Sequence, residues 1–418
     1  MYDLAKKLFP INRSITGNGV RKTLKILNKV HPLKVYEIPT GTKAFDWTVP
    51  KEWNINDAYI LNEDGKKIVD FQENNLHVVG YSTPVDKTLS LEELQKHLYS
   101  LPEQPDVIPY VTSYYKERYG FCMPHNQREN LKPGNYNVCI DSELKDGNMT
   151  YGEIIIPGET EEEILLSTYI CHPSMANNEV SGPVLTIHLA KYISELKKRR
   201  YTYRIVFVPE TIGSLLYLSR NFQIMKKNVQ AGFVISCVGD DRTYSYIASK
   251  YENTLADKVA RNVLKFHYPE YKKYSFLQRG SDERQYNAPG IDLPVCGICR
   301  SKYGEYPEYH TSADNLELIS PSGFKGAFEL FVKIITALEN NYYYKMKCLG
   351  EPQLGKRGLY PTESYKGSAN TAKSMMDFIA YADGSNDLID ISNMINVPIN
   401  HLIPIVDLLK TANLIEAL

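Results

Sequence analysis

Apolar and polar positions change rhythm several times along this chain. Near the start, RSITGNGVRKTLKIL sets Val20, Leu24 and Leu27 at helical spacing behind a glycine-containing turn, which predicts a helix. From about residue 36 to 150, short alternating runs (KVYEI, DAYIL, KIVDF, LHVVGY, YGFCM, YNVCI) are broken by Gly, Pro, Asn and Asp. That period-two texture predicts a small β-rich domain, and both tryptophans, Trp47 and Trp53, fall inside it. From EIIIPG (153–158) onward, the apolar strands EILLST, RIVFVP and GFVIS alternate with the helical stretches VLTIHLAKYISEL and TLADKVARNVLKF. Strand and helix in turn predict βαβ units, hence an α/β fold with a mostly parallel sheet covered by helices on both faces. Ligands of such sheets gather at the carboxyl ends of the strands, so the polar sequences that follow the strands are the places to search.

A Pro- and Gly-rich joint, EPQLGKRGLYPTESYKGSAN (351–370), precedes three amphipathic segments. In the third, Ile399, Leu402, Ile403, Val406 and Leu409 follow i, i+3, i+4, i+7 spacing, and the terminal NLIEAL reads as a short wing strand. A winged-helix module is predicted. Residues 371–418 set Lys373 and Lys410 against Asp377, Asp383, Asp387, Asp390, Asp407 and Glu416, a net charge of −4. Nucleic-acid binding is disfavoured despite the module, because such affinity rests on cationic contacts to phosphate.

At 418 residues, the chain is long enough for two or three domains. Its net charge of −1 leaves no global field to draw in nucleic acid or an anionic membrane. Seven cysteines are too sparse for a disulfide framework, and the start MYDLAKKLFPINRS has no apolar stretch behind its lysines. No window approaches the roughly 18 apolar residues of a membrane span. These features predict a cytoplasmic protein without a membrane partner. Cys296 and Cys299 form a lone CxxC with no second pair, and read as small residues of a buried strand rather than as a zinc knuckle.

The polar turns carry the candidate chemistry. EILLST leads into CHPSMANNEVSG, centred on His172, and RIVFVP leads into ETIGS. FVIS leads into CVGDDR, and GSDERQYNAPGIDLP precedes YHTSADN. One His, Asp or Glu at a strand end is usually a cap, but four such turns on one sheet point to a site. These stretches resemble the co-catalytic zinc aminopeptidases and their glutaminyl-cyclase relatives. Those proteins carry a His, an AND-N-x-SG turn, a paired Glu after the next strand, an SDH segment and a late Tyr-His-Thr-x-x-Asp. Here the matching stretches are His172, ANNEVSG (176–182), PETIGS (209–214), GSDERQY (280–286) and YHTSADN (309–315), spanning about 150–345. RSITGNGVR, CHPSMAN, PETIGS, LGKRGLYP and the terminal module together resemble a bacterial group with an aminopeptidase-like domain, an inserted β domain and a C-terminal winged helix.

The resemblance implies a zinc-exopeptidase-like fold. Residues 1–35 would form the first part of the aminopeptidase-like domain, 36–150 a β-rich insertion, 151–350 the rest of the domain, and 351–418 the winged-helix-like module. It also implies that His172 and His310 are zinc ligands and that Glu210 is a general base or a further ligand. Tyr309 would support the oxyanion, Asp282 would join the catalytic residues, and Asp314 would hold His310.

The departures from the family pattern matter as much. Where the family bridges two ions with a carboxylate, this chain has Asn178, and where a second Glu should bind, it has Thr211. Ser236 or Cys237 stands where another acidic ligand is usual, with Asp240 close by. Two dications about 3.5–4 Å apart without an anion between them repel by roughly 19 kcal/mol at an effective dielectric near 20. One zinc or none is therefore expected, held by His172, His310, Asn178 and Glu210. Glu179, beside Asn178, is expected to point away from that set. The leading reading is a zinc-dependent hydrolase cleaving an N-terminal residue or a small amide through activated water. The alternatives are a metal-poor scaffold that recruits a protein partner or a second copy, and an amide or acyl hydrolase or transferase of surface-polysaccharide metabolism.

Overall fold

The computed structural model describes residues 1–114, 116–359 and 368–418. An eight-stranded sheet runs in the order Lys34–Pro39, Asn148–Ile156, Thr202–Val208, Glu163–Tyr169, Val229–Ile235, Val295–Cys299, Ser245–Ile247, Lys272–Tyr274. Its four central strands are parallel, and antiparallel pairs lie toward the two edges. Every residue of Glu163–Tyr169 is buried, as an unbroken apolar strand covered on both faces requires. On one face Leu166 and Phe233 meet the helices Asn18–Leu27, Ser181–Glu195, Leu255–His267 and Pro321–Asn340 through Leu24, Leu185, Val259 and Phe331. On the other, Leu165 and Val234 meet Leu216 of helix Ile212–Asn228 and Trp53 of the β-rich region.

The β-rich region is an antiparallel sheet in the order Lys67–Asp70, Glu52–Leu61, Asn135–Lys145, Val85–Ser90. It has its own core, which includes Ile60, Val69, Phe121, Val138 and Ile140. The strands flanking it in sequence, Lys34–Pro39 and Asn148–Ile156, pair with each other in the large sheet, so this region hangs from the sheet edge.

The first thirty residues hold two helices rather than one. Tyr2–Leu8 is only 7 residues long, too short for apolar periodicity to announce. The loop ahead of Asn18–Leu27 clips the β-rich region in place. Thr16 Oγ1 accepts from the Trp53 backbone N–H at 3.0 Å and lies 2.6 Å from the Tyr81 hydroxyl. Gly17 has φ 98°, and a Cβ there would sit 2.2 Å from the Trp53 carbonyl oxygen, so only glycine fits.

The C-terminal helices are Ser368–Tyr381, Leu388–Met394 and Ile399–Thr411, with Ile415–Ala417 as the terminal strand. Tyr343–Met346 is the middle strand of their small sheet, so this unit reaches back past the expected boundary at 351. Residues 360–367 of the joint lie outside the described residues. The unit rests on the main domain through Lys258 Nζ, 2.6 Å from Asp387 and 2.6 Å from Asp390, and through Phe378 and Leu402 in the shared core. Cys296 and Cys299 lie on one buried strand, both as free thiols. Among the described residues, no helix is long and apolar enough to cross a membrane.

Candidate active site

Three strand-end turns, two segments of the β-rich region (47–50 and 110–114) and Ile15 of the N-terminal loop build a cavity of about 370 Å³ at the carboxyl edge of the parallel strands. His172 follows Glu163–Tyr169, Glu210 follows Thr202–Val208, and His310 comes from the loop after Val295–Cys299. His172 Nε2 lies 3.6 Å from Glu210 Oε2, and the two imidazole centroids are 5.4 Å apart. All three residues line the cavity.

His172 is fixed from behind. A single π-helical turn, Ala176–Val180, brings Glu179 back toward it, so that Glu179 Oε2 accepts from the His172 backbone N–H at 3.0 Å and lies 3.1 Å from Nδ1. Glu179 Oε1 accepts from Arg13 Nε at 3.0 Å, and both side chains are 1% exposed. Glu179 therefore does not point away from the site; it orients the imidazole and leaves Nε2 facing the cavity. Burial alone would push His172 down, but Cys171, Glu179 and Glu210 around it hold it well above the usual histidine range. Cys171, His172 and Glu179 also cluster closely enough to suggest a second metal site. The Glu179 carboxylate in this cluster is already taken up by Arg13 and by the His172 N–H.

His310 is held differently. It sits at φ 57°, a conformation an ordinary side chain adopts only when its neighbours impose it. Its carbonyl accepts from the Tyr110 N–H at 2.9 Å, and Ser312 and Ile108 exchange two more bonds beside it, so a segment of the β-rich region grips this loop. Burial, with the His172 charge nearby, lowers the His310 imidazole to about 3. It is thus neutral, and its Nε2 is buried with no partner. An orphaned imidazole nitrogen beside a second imidazole and a carboxylate is a donor set that suits a divalent ion.

Glu210 Oε1 accepts from Ser281 Oγ at 2.9 Å, and burial raises its carboxyl. The residue after it, Thr211, is β-branched yet has φ 62°. Asp282 makes that turn possible, accepting from the Thr211 N–H at 2.8 Å and from Ser214 Oγ at 2.9 Å. Burial pushes Asp282 up to about 8. Asp282, expected among the catalytic residues, thus holds the Glu210 turn and does not line this cavity.

Asp314 also departs from expectation. It takes the backbone N–H groups of Asn177 and Asn178 at 2.6 and 2.9 Å and the Tyr306 hydroxyl at 3.0 Å, capping the π-helical turn rather than holding His310. Asp240 is consumed by Asn177, Ser301 and the Arg242 N–H. Tyr309 stacks on His310 with centroids 3.9 Å apart and is likewise absent from the wall. Two phenols line the wall, Tyr110 and Tyr114, with hydroxyls 3.0 Å apart; the Tyr110 ring centroid is 5.2 Å from that of His172 and 5.0 Å from that of His310. Period-two patterning marks neither Tyr110 nor Arg13, because both sit in loops whose destination depends on the assembled domains.

Asn178 donates from Nδ2 to the Tyr169 hydroxyl at 2.8 Å, with Cys237 Sγ at 3.7 Å. Its Oδ1 is buried without a partner behind the cavity wall, next to Tyr169, whose ring centroid is 5.2 Å from that of His172.

The profile of the family described as "Domain of unknown function (DUF4910)" matches residues 2–341, and a winged helix-turn-helix profile matches 341–417. The chain belongs to the DUF4910 family. A Clostridium acetobutylicum protein named for polysaccharide biosynthesis and an aminopeptidase-like domain is 48% identical over 404 residues, 94% of this chain and 90% of the relative. A crystal structure from Clostridium acetobutylicum, of a protein labelled a peptidase, superposes with TM-score 0.93 at 45% identity, covering 100% of this chain and 96% of that one. The zinc aminopeptidase of Bacillus subtilis shares the fold, with TM-score 0.58 at 12% identity over 81% of this chain and 93% of that one. The resemblance to zinc aminopeptidases thus holds for the fold, as does the winged-helix assignment.

Proposed function

We propose that this chain is an amide hydrolase of the aminopeptidase-like class that works with one divalent ion, zinc by its donor chemistry. The observation that carries this reading is the orphaned, neutral Nε2 of His310 in the same cavity as His172 and Glu210. His172 Nε2 and His310 Nε2, two imidazoles, would hold the ion. When bound, it supplies Lewis-acid activation of the attacking water and the acyl oxygen.

The residues of the chain do the rest. Glu179 keeps the Nδ1 proton of His172 in place, so the charged imidazole would give up its Nε2 proton on ion binding and offer that lone pair from the cavity side. Glu210 Oε2 takes the proton of the attacking water and returns it to the departing nitrogen, a task its raised carboxyl suits. Asp282 holds the Thr211 turn that aims Glu210. Of the two phenols on the wall, Tyr110, bonded to the Tyr114 hydroxyl at 3.0 Å and lying beside both imidazoles, would donate to the developing oxyanion. Ile15, Trp47, Pro50 and Ile212 exclude water around the acyl group.

The name of the Clostridium acetobutylicum relative supports a setting in polysaccharide biosynthesis. The free thiols support a reducing, cytoplasmic one. The test is the metal content of protein purified without chelator or added metal, alongside hydrolysis of a panel of 4-nitroanilides. About one equivalent of zinc, lost in His310→Ala, together with turnover of a small amide, is expected. Protein that takes up no zinc even when zinc is supplied would sink the reading. It would favour a scaffold, which the neutral Asn178 and Thr211 support.

A further inference from the structure

We infer that the amide bound in this cavity carries no free α-ammonium: the substrate is an acylated amine, neutral around the scissile bond, not the unblocked N-terminus of a peptide. The inference rests on the hydrolase reading of the same cavity and concerns what lies beside the bond that breaks.

An α-ammonium taken out of water needs a carboxylate not otherwise engaged, because an unpaired buried charge costs far more than an unpaired dipole. Among the described residues on the wall, Glu210 is the only carboxylate. Its Oε1 accepts from Ser281, and its Oε2 faces His172 Nε2 at 3.6 Å. Of the other nearby carboxylates, Glu179 is engaged by Arg13 and His172, and Asp282, bonded through Oδ1 to Thr211 and Ser214 with its Oδ2 buried and unpartnered, does not line the cavity.

The rim reinforces the point with the opposite sign. Thr48 and Thr211 line the cavity; Thr48 Oγ1 accepts from Lys43 Nζ at 2.8 Å, and Thr211 Oγ1 accepts from Arg284 Nη2 at 2.9 Å. Two cations at the mouth repel an ammonium and are indifferent or favourable to a neutral or anionic group. The remaining wall, apolar side chains with the hydroxyls of Tyr110, Thr112 and Tyr114, suits an acyl group and a neutral amide. The reaction balances as hydrolysis. Water adds to the acyl carbon, the C–N bond breaks, and the departing nitrogen takes a proton, leaving a carboxylic acid and an amine with no change of oxidation state.

The test is a matched pair of ligands, L-alaninamide and N-acetyl-L-alaninamide, titrated by calorimetry into the full chain at neutral pH and low salt, with and without zinc. The acetylated amide is expected to bind at least roughly tenfold more tightly. In Lys43→Glu, at an exposed position whose ammonium bonds the Thr48 hydroxyl at the rim, that preference should shrink several-fold as the rim charge reverses. Equal or tighter binding of the free amine, undetectable binding of both included, overturns the inference. Hydrolysis of L-alanyl-, N-acetyl-L-alanyl- and propionyl-4-nitroanilide separates the two claims. A binding preference for the acetylated ligand with no turnover of any anilide leaves this inference standing and removes the hydrolase reading. Turnover with the free amine preferred removes the inference alone.

Discussion

The two halves of the pocket floor are built on opposite electrostatic plans. Around His172, full charges are buried and matched: Arg13 meets Glu179 at 3.0 Å, and Glu179 meets the imidazole at 3.1 Å. Around the Asn178 side chain, where the family pattern calls for anions, the neighbours are a thiol and phenols, Cys237, Tyr169 and Tyr306, and the one carboxylate close by, Asp314, is turned onto the backbone N–H groups of Asn177 and Asn178 and the Tyr306 hydroxyl. A buried ion pair is costly to assemble and costlier to break, so the first half is a device for holding one imidazole in one orientation. The second half has surrendered the negative charge that a second dication would need. One fold thus buries matched full charges on one side of the site and neutral polar side chains on the other.

The largest effect should come from breaking the charged half. Arg13→Ala strands a carboxylate that is 1% exposed and is expected to cost about 3–5 kcal/mol, read by urea denaturation. A loss under about 1 kcal/mol would mean that Glu179 does not depend on this partner.

Next comes conversion of the neutral half. Asn178→Asp with Thr211→Glu returns two carboxylates and should raise zinc stoichiometry from one ion toward two, measured by elemental analysis after dialysis. Unchanged stoichiometry would show that Cys237 and the phenols close the second position sterically as well as electrically.

Glu179→Gln keeps the volume and a hydrogen bond but removes the charge behind Nδ1. Zinc affinity should fall roughly 10–100-fold, read by competition with a chromophoric chelator. An unchanged affinity would reduce Glu179 to a packing group.

The smallest effect tests the clip between the first helices and the β-rich region. Burial would raise Glu52, but Arg21, the Asn148 N–H and Asn54 outweigh it and lower its carboxyl to about 2. A carboxyl lowered in the folded state stabilises above its unfolded value of 4.5, and that contribution is lost as pH falls from there toward 2. Arg21→Met should lower stability most above pH 4.5 and progressively less toward pH 2, flattening the acid dependence, as read by urea denaturation across that window.

Much of this arrangement was legible in the chain before any coordinates. Apolar runs bounded by turn residues predicted the parallel strands, because a strand buried on both faces has no choice but to be apolar throughout. Since ligands gather at carboxyl ends, the same runs drew attention to His172, Glu210 and His310, and the substitutions at Asn178 and Thr211 announced a missing negative charge without any distance. What the chain alone left open were destinations. Asp282 and Asp314 sit in turns that look catalytic, yet one holds a left-handed threonine and the other caps a π-helical turn, choices set by which backbone N–H groups end up unpaired nearby. Glu179 turns toward His172 because Arg13, 166 residues earlier, is buried against it. Tyr110 reaches the wall because its loop is bonded to that of His310. Periodicity reports which face of an element is buried; which side chains from distant loops meet is decided only when the domains close and every buried charge and polar group must find a partner.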